Sequence, residues 1–432
     1  MWTTTISHLP EELLNVILSR TGFKSRRSVR LTCKKWNNLF KNQSFIGEDA
    51  TTREGESKMI LLRDNTLYLM SIVMENGGGD ALTEQKGKLI CQNNDQIKIS
   101  QVFHCEGLLL CVLKDENFSL VVWNPYWGQT RWIEPRHSFK TGDGTDMYRY
   151  ALGYNNKKRC HKILRFIDNE FHIFSGPLFV MWYEMYDFES DLWTTLDVTP
   201  QWTINLADRG VSLKGNTYWC AHKWKSFDID YIHIICFDFT KERFGPLMRL
   251  PFGAKDDSLV ALSCVRDEKL AALFCYDYVV EFWFTTKIEA KKMLWTRFLT
   301  LNIDNLGTLI PGRLLHGAFF IDEAKRVAMI LDKTWNGEDT FHIMGDAGYG
   351  KEVSLGEPED KLFYHPLVCS YAPSLVQIEL SPGFQRKQQS DLEKRRCDEN
   401  ISRFVSHEEE LTKRLLYAEA IEKGIREGGI GL

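Results

Sequence analysis

The chain has 432 residues, 44% of them hydrophobic and 26% charged, which excludes collagen-like, mucin-like and wholly disordered chains and allows roughly one to three domains. Its 54 basic and 58 acidic residues give a net charge of −4, so no global field draws it to nucleic acid or an anionic membrane. The 11 cysteines are odd in number, scattered, mostly set in apolar runs and without a C-x-x-C pair, which points to buried reduced thiols and against a disulfide framework or a zinc site.

The first ten residues lack the basic start and apolar stretch of a secretory leader, and no later apolar run nears the ~20 residues that span a bilayer. The expectation is a soluble chain of the cytoplasm or nucleus. Residues 1–48 read as a short helical head. Pro10 suits a first helical turn, where its missing N–H costs nothing, and Glu11 and Glu12 favour the positive helix end. Leu13, Leu14, Ile17 and Leu18 then form one apolar face, and Gly22 is placed to end the helix. Val29, Leu31, Cys33, Trp36, Leu39 and Phe40 predict two more short helices. From Arg20 to Lys41 there are eight basic residues and no acidic one, so this segment carries +8 against −12 for the rest. A unit this small is marginal alone, and its spare apolar surface calls for a partner. GEDATTREGES (47–57) reads as the linker that follows.

Residues 58–378 read as short β runs separated by turn signals, an all-β pattern. Asp64-Asn65, Gly215-Asn216 and Asp267-Glu268 mark expected turns. A unit made of a strand, an Asp or Asn turn, an aromatic and a short strand recurs at 121–134, 184–197, 234–247 and, more loosely, 279–298. Such repetition in an all-β chain predicts a propeller, and at roughly 45 residues per four-stranded blade the body holds about six to eight blades. A β-sandwich is the weaker alternative, because it does not need the repeat.

SPGFQRKQQS (381–390) marks the next boundary, and 383–432 reads as a charged tail with ten basic and ten acidic residues between Arg386 and Glu427. Ser406 and Glu409 fit a capping box, with Leu411, Leu415, Ala418 and Ile425 along one face. The expectation is an amphipathic helix lying loosely on the body or free of it, with self-association as the alternative.

Catalytic patterns are weak. GDAGYGK (345–351) satisfies the spacing of a phosphate-cradling loop, but Glu352 replaces the magnesium-binding hydroxyl and no helix pattern follows, so it reads as a surface loop between blades. Gly77-Gly78-Gly79-Asp80 reads as a flexible hairpin tip and Asp256-Asp257 as turn residues. The histidines lie mostly within strands, without metal-ligand spacing. No catalytic residue, metal or cofactor is expected. Tyr148, Trp202, Trp224 and Trp335 stand in polar stretches between strands, where they could form a rim that binds protein or glycan or could cap blades.

The head reads L-P-x-x-L-x-x-x-I-L-S-R, then K-S, then V-R-x-x-C-K-x-W-x-x-L and a closing Phe45, and this resembles the F-box. The body resembles the F-box-associated domain of the large plant family through CEGLLLC (105–111), LVVWNPYWGQTRWI (120–133), FDFTKERFGPLMRLPF (237–252) and YAPSLVQI (371–378). Thr21-Gly22 stand where that family usually has Leu-Pro, and Arg26 where an apolar residue follows Lys-Ser. The resemblance implies a non-catalytic substrate-recognition subunit of a Skp-cullin-F-box ubiquitin ligase. Leu9, Pro10, Leu13, Ile17, Leu18, Val29, Leu31 and Trp36 would bind a Skp-type adaptor, and through it a cullin-RING ligase. The β body would bind an unknown protein substrate, without membrane or nucleic-acid partners. The alternatives are a propeller binding module without a ligase role and a basic head that binds nucleic acid through Arg26, Arg27, Arg30, Lys34 and Lys35.

Overall fold

The computed structural model describes residues 56–74, 81–89 and, with interruptions, 97–409, the main gaps being 224–230, 252–258, 303–318, 359–366 and 379–387. The helical head (1–48) and residues 47–55 of the expected linker therefore lie outside the described residues, as does nearly all of the tail beyond 406, while Glu56 and Ser57, expected to end the linker, already belong to the first strand.

The strands form six antiparallel sheets. Blade 1 begins with β1 (Glu56–Arg63), β2 (Thr66–Met74) and β3 (Ala81–Leu89). Blade 2 is β4 (Ile99–Cys105), β5 (Leu108–Leu113), β6 (Leu120–Asn124) and β7 (Gln129–Ile133). Blade 3 is β8 (Arg149–Tyr154), β9 (His161–Ile173), β10 (Gly176–Asp187) and β11 (Leu192–Leu196). Blade 4 holds β12 (Trp202–Thr203), β13 (Val211–Leu213), β14 (Asn216–Lys223), β15 (His233–Asp238), β16 (Arg243–Phe244) and β17 (Met248–Arg249). Blade 5 is β18 (Leu259–Val265), β19 (Lys269–Tyr276), β20 (Val279–Ile288) and β21 (Met293–Asn302). Blade 6 is β22 (Phe319–Asp322), β23 (Val327–Lys333), β24 (Asp339–Gly345) and β25 (Gly350–Ser354). The last strand, β26 (Leu367–Ser370), returns to pair with β1 at Met59–Leu62 and becomes the innermost strand of blade 1. The inner strands β26, β4, β8, β13, β18 and β22 each touch the next around the axis, so the ring closes. The all-β propeller expectation holds, at six blades.

Strands such as β5 and β19 read as apolar runs because they are buried on both faces, whereas outer strands such as β21 and β25 are partly exposed. In β5, Leu109, Cys111 and Leu113 join the core shared with blades 1 and 6, while Leu108, Leu110 and Val112 join the core shared with blade 3. The same period of two divides β19: Leu270, Ala272 and Phe274 face blade 4, and Ala271, Leu273 and Cys275 face blade 6.

The recurring sequence unit is the outer hairpin of successive blades. Residues 121–134, 184–197, 234–247 and 279–298 span the third and fourth strands of blades 2 to 5. Its Asn or Asp builds the turn: Asn124 Oδ1 accepts the Tyr126 N–H at 3.0 Å, Asp187 Oδ1 that of Glu189 at 2.7 Å, and Asp238 Oδ1 that of Thr240 at 2.9 Å. Two-residue turns with both φ positive join other strands, at Asp64-Asn65, Glu106-Gly107 and Lys214-Gly215. The last corrects the expected Gly215-Asn216 turn by one residue, because Leu213 pairs with Asn216, which thereby begins β14. Of Asp267-Glu268, Asp267 lies outside the described residues; Val265 and Lys269 flank that turn as paired partners.

GDAGYGK is the hairpin between β24 and β25, where Met344 pairs with Gly350, rather than a loop between blades; 346–349 lie outside the described residues, as do Gly77–Asp80 and Asp256-Asp257.

A helix, α1, covers 391–406. Ser390 caps it, its Oγ accepting the Glu393 N–H at 3.2 Å. Ser406 is therefore not an N-cap but a residue of the helix, its hydroxyl donating to the Ser402 carbonyl at 2.9 Å. Nor does this part of the tail lie loosely. Cys397 and Phe404 are buried in the core between blades 2 and 3, with Ile401 packed against it.

Candidate recognition site

The segment that follows β26 lies against blade 2. After β26, residues 371–378 pass over the β4–β5 turn of blade 2. Here Gly107 adopts φ +79, and a Cβ on it would stand 2.4 Å from the Ala372 carbonyl oxygen. Asn124 Nδ2 donates to the carbonyls of Ser374 at 3.0 Å and Val376 at 2.7 Å, and the Ile378 N–H donates to Gln129 Oε1 at 3.3 Å. YAPSLVQI is thus a strap across blade 2.

Next, α1 wedges between blades 2 and 3. The Phe404 ring lies 5.3 Å from Trp182, 5.5 Å from Phe139 and 6.5 Å from Tyr148. Beside it, Arg136 bridges Glu184 of β10 and Glu393 of α1, each at 2.7 Å. Glu393 also accepts the Thr195 N–H at 2.7 Å. Desolvation alone would raise the Glu393 carboxyl, but the hydrogen bonds from Arg136 and Thr195 outweigh it and hold the pKa below its usual value. The fully buried Arg165 pairs with the fully buried Glu184, so each charge is compensated inside the wedge.

Tyr148 belongs to this wedge and not to an exposed rim. It is 1% exposed, with the Arg165 guanidinium 4.1 Å from its ring centroid. Its polar neighbours misled the sequence reading because they are buried too. Asp146 accepts the Tyr148 N–H at 3.0 Å and the Tyr150 hydroxyl at 2.7 Å, and Arg149 pairs with Asp168 at 2.6 Å. Burial pushes the Asp146 carboxyl up to about 6, the hydrogen bonds opposing it only in part. Trp202 is half-buried, its ring 5.3 Å from Phe244, so it caps blade 4. Trp224 and Trp335 lie outside the described residues, as do all eight residues expected to hold an adaptor, Leu9, Pro10, Leu13, Ile17, Leu18, Val29, Leu31 and Trp36.

Two other concavities differ in scale. At the axis, β4, β13, β18 and β26 surround a cavity of about 100 Å³. Between blades 4 and 5, on the face crossed by the strap at blade 2, lies a groove of about 1190 Å³. Its floor includes the buried Leu213, Tyr218 and Met248. Lys214, Lys241 and Arg243 line it from blade 4, and Lys269, Lys287 and Lys291 from blade 5. Sequence reasoning missed this groove, because the residues that form it come from separate turns.

Among the described residues, the side chains of Cys160, Asp187 and Glu189 place metal-type donors within 4.8 Å of one another. Asp187 is already held by Lys162 at 2.8 Å and by its turn, and burial, aided by Asp187, raises the Cys160 thiol to about 11, far from a thiolate ligand. Turn and ion-pair chemistry account for the set.

A closed ring of six antiparallel blades defines the class of β-propellers. Residues 58–378 match the F-box associated beta propeller domain, and residues 6–46 match the F-box domain. The chain belongs to the F-box proteins that carry an F-box-associated propeller. Among its relatives are two Arabidopsis thaliana chains named as F-box proteins. One is 63% identical over 397 residues, covering 90% of this chain and 95% of the relative; the other is 60% identical over 425 residues, covering 94% and 96%. A third, named as an F-box/kelch-repeat protein of the same plant, is 49% identical over 417 residues, covering 94% and 96%. This domain pair is that of substrate adaptors of Skp-cullin-F-box ligases, in which the F-box subunit is in general non-catalytic.

Proposed function

We propose that this chain is the substrate receptor of such a ligase, the head holding a Skp-type adaptor and the propeller holding a target protein for ubiquitination in the cytoplasm or nucleus. The observation that carries the reading is the joining, in one chain, of an F-box match at 6–46 to a propeller match at 58–378. Leu9, Pro10, Leu13, Ile17, Leu18, Val29, Leu31 and Trp36 would enter an apolar acceptor groove, and the +8 segment would be steered by an acidic one. Transfer chemistry belongs to the partner subunits, and the receptor contributes position alone.

The test is capture of purified Skp-type adaptor by the full chain and by the double variant Leu9→Ala/Pro10→Ala. The full chain is expected to retain adaptor and the variant to lose it, with the thermal melt of the propeller unchanged. Equal capture by both overturns the docking residues. No capture by the full chain overturns the ligase reading and leaves the propeller as an independent interaction module.

A further inference from the structure

Among the surfaces that the described residues leave open, the groove between blades 4 and 5 joins size, charge and an apolar floor. Its volume of about 1190 Å³ exceeds the roughly 300–1,000 Å³ of small-molecule pockets, which favours a polymer segment. Six cationic side chains line it against three carboxylates, Asp238, Glu268 and Glu289, a lining charge of +3. The domain around it, residues 58–378, has 35 basic and 41 acidic residues, net −6, so the groove is positive against its own domain.

Part of that charge is already used. Lys241 is tied to Asp238 and Lys287 to Glu289, each at 2.8 Å, and Lys269 to Glu323 at 2.6 Å. Lys214, Arg243 and Lys291 are exposed and make no ion pair among the described residues. They reach the groove from the β13–β14 turn, β16 and the β20–β21 turn, around a floor of Leu213 and Met248. At the outer edge of blade 4, residues 245–247 separate β16 from β17, each only two residues long, so little edge remains for an added strand. Recognition there must run through side chains.

We propose that this groove holds an extended acidic segment of the protein substrate, with its carboxylates against Lys214, Arg243 and Lys291 and its interleaved apolar side chains on the floor. The proposal deepens the receptor reading and rests on it.

The probe is a fluorescein-labelled peptide of alternating Glu and Leu, compared with Gln/Leu and Lys/Leu peptides and a generic DNA duplex, each titrated into the full chain by fluorescence anisotropy. The triple variant Lys214→Glu/Arg243→Glu/Lys291→Glu takes the lining from +3 to −3. A control triple reverses the exposed Lys98, Lys114 and Arg395, none of which lines the groove. The expected result is preference for the Glu/Leu peptide, weakened roughly tenfold or more by the groove variant and steepened by low salt, with the control unchanged. Equal binding by the groove variant, equal loss in the control, preference for Lys/Leu peptide or duplex, or binding of no peptide each overturns the proposal. Adaptor capture is measured on the same preparations: its retention with peptide binding absent refutes the groove alone, and its absence from the unmodified chain refutes the receptor reading.

Discussion

Replacing Phe404 by Ala tests whether α1 is part of the propeller core. The side chain is 2% exposed and touches Trp182, Phe139 and Tyr148 at ring distances of 5.3, 5.5 and 6.5 Å. Truncating a buried Phe costs about 3–5 kcal/mol, because it removes apolar contact and leaves a cavity between blades that cannot close on it. The α1 helix has a cheaper escape, since it can undock, so the loss is expected in local opening of the helix before the ring unfolds. Hydrogen exchange should therefore show amides of 394–404 exchanging roughly a hundredfold faster in Phe404→Ala, with β19 and β20 unchanged. Phe404→Leu, which keeps most of the volume, should cost about 1 kcal/mol. Exchange in α1 unchanged within about threefold in the Ala variant would refute the reasoning, because the helix would then be held by something other than the aromatic wedge.

Two further outcomes follow from packing and charge. Gly153→Ala places a Cβ 2.3 Å from the Phe239 ring and 2.5 Å from the Gly215 carbonyl oxygen, which accepts the Tyr154 N–H at 3.1 Å. A loss of about 1–3 kcal/mol in denaturant unfolding is expected, and adding Phe239→Leu should restore only part of it; full restoration would mean that the backbone clash is absent. His161 is buried, and desolvation, with the Arg159 charge adding to it, lowers its pKa from 6.5 to about 4. The folded state thus prefers the neutral ring, so this stability is fully present above pH 6.5 and is lost as pH falls toward 4. Against His161→Gln, the native chain should lose on the order of 2 kcal/mol between pH 7 and pH 4.5 in chemical unfolding, and a constant difference would refute the assignment.

The repeat was legible because its turn is made locally. Asn124, Asp187 and Asp238 each accept N–H groups two residues on, so the signal survives in one dimension. Strands such as β5 and β19 were legible as apolar runs, although their division between two interfaces requires the ring. Helix α1 carries a readable signal: Ser390-x-x-Glu393 fits the same capping pattern as Ser406 and Glu409, and Glu393, Cys397, Ile401 and Phe404 keep helical spacing. Tyr148 failed because polar neighbours usually mean solvent, whereas Asp146 and Arg149 are buried with their partners. The groove had no sequence signature at all. Lys214 and Lys291 stand 77 residues apart and meet only because consecutive blades place their turns on one face.

The closure of the ring through β26 has a consequence for synthesis. When synthesis has reached residue 366 every other named strand has been made, but blade 1 still lacks the strand that pairs with Met59–Leu62. Until Leu367–Ser370 emerges, the nascent chain can form only an open arc with an apolar end, and any premature stop before that point releases such an arc. The head, at the opposite end of the chain, is made first. If the head captures an adaptor as proposed, that capture can precede completion of the propeller.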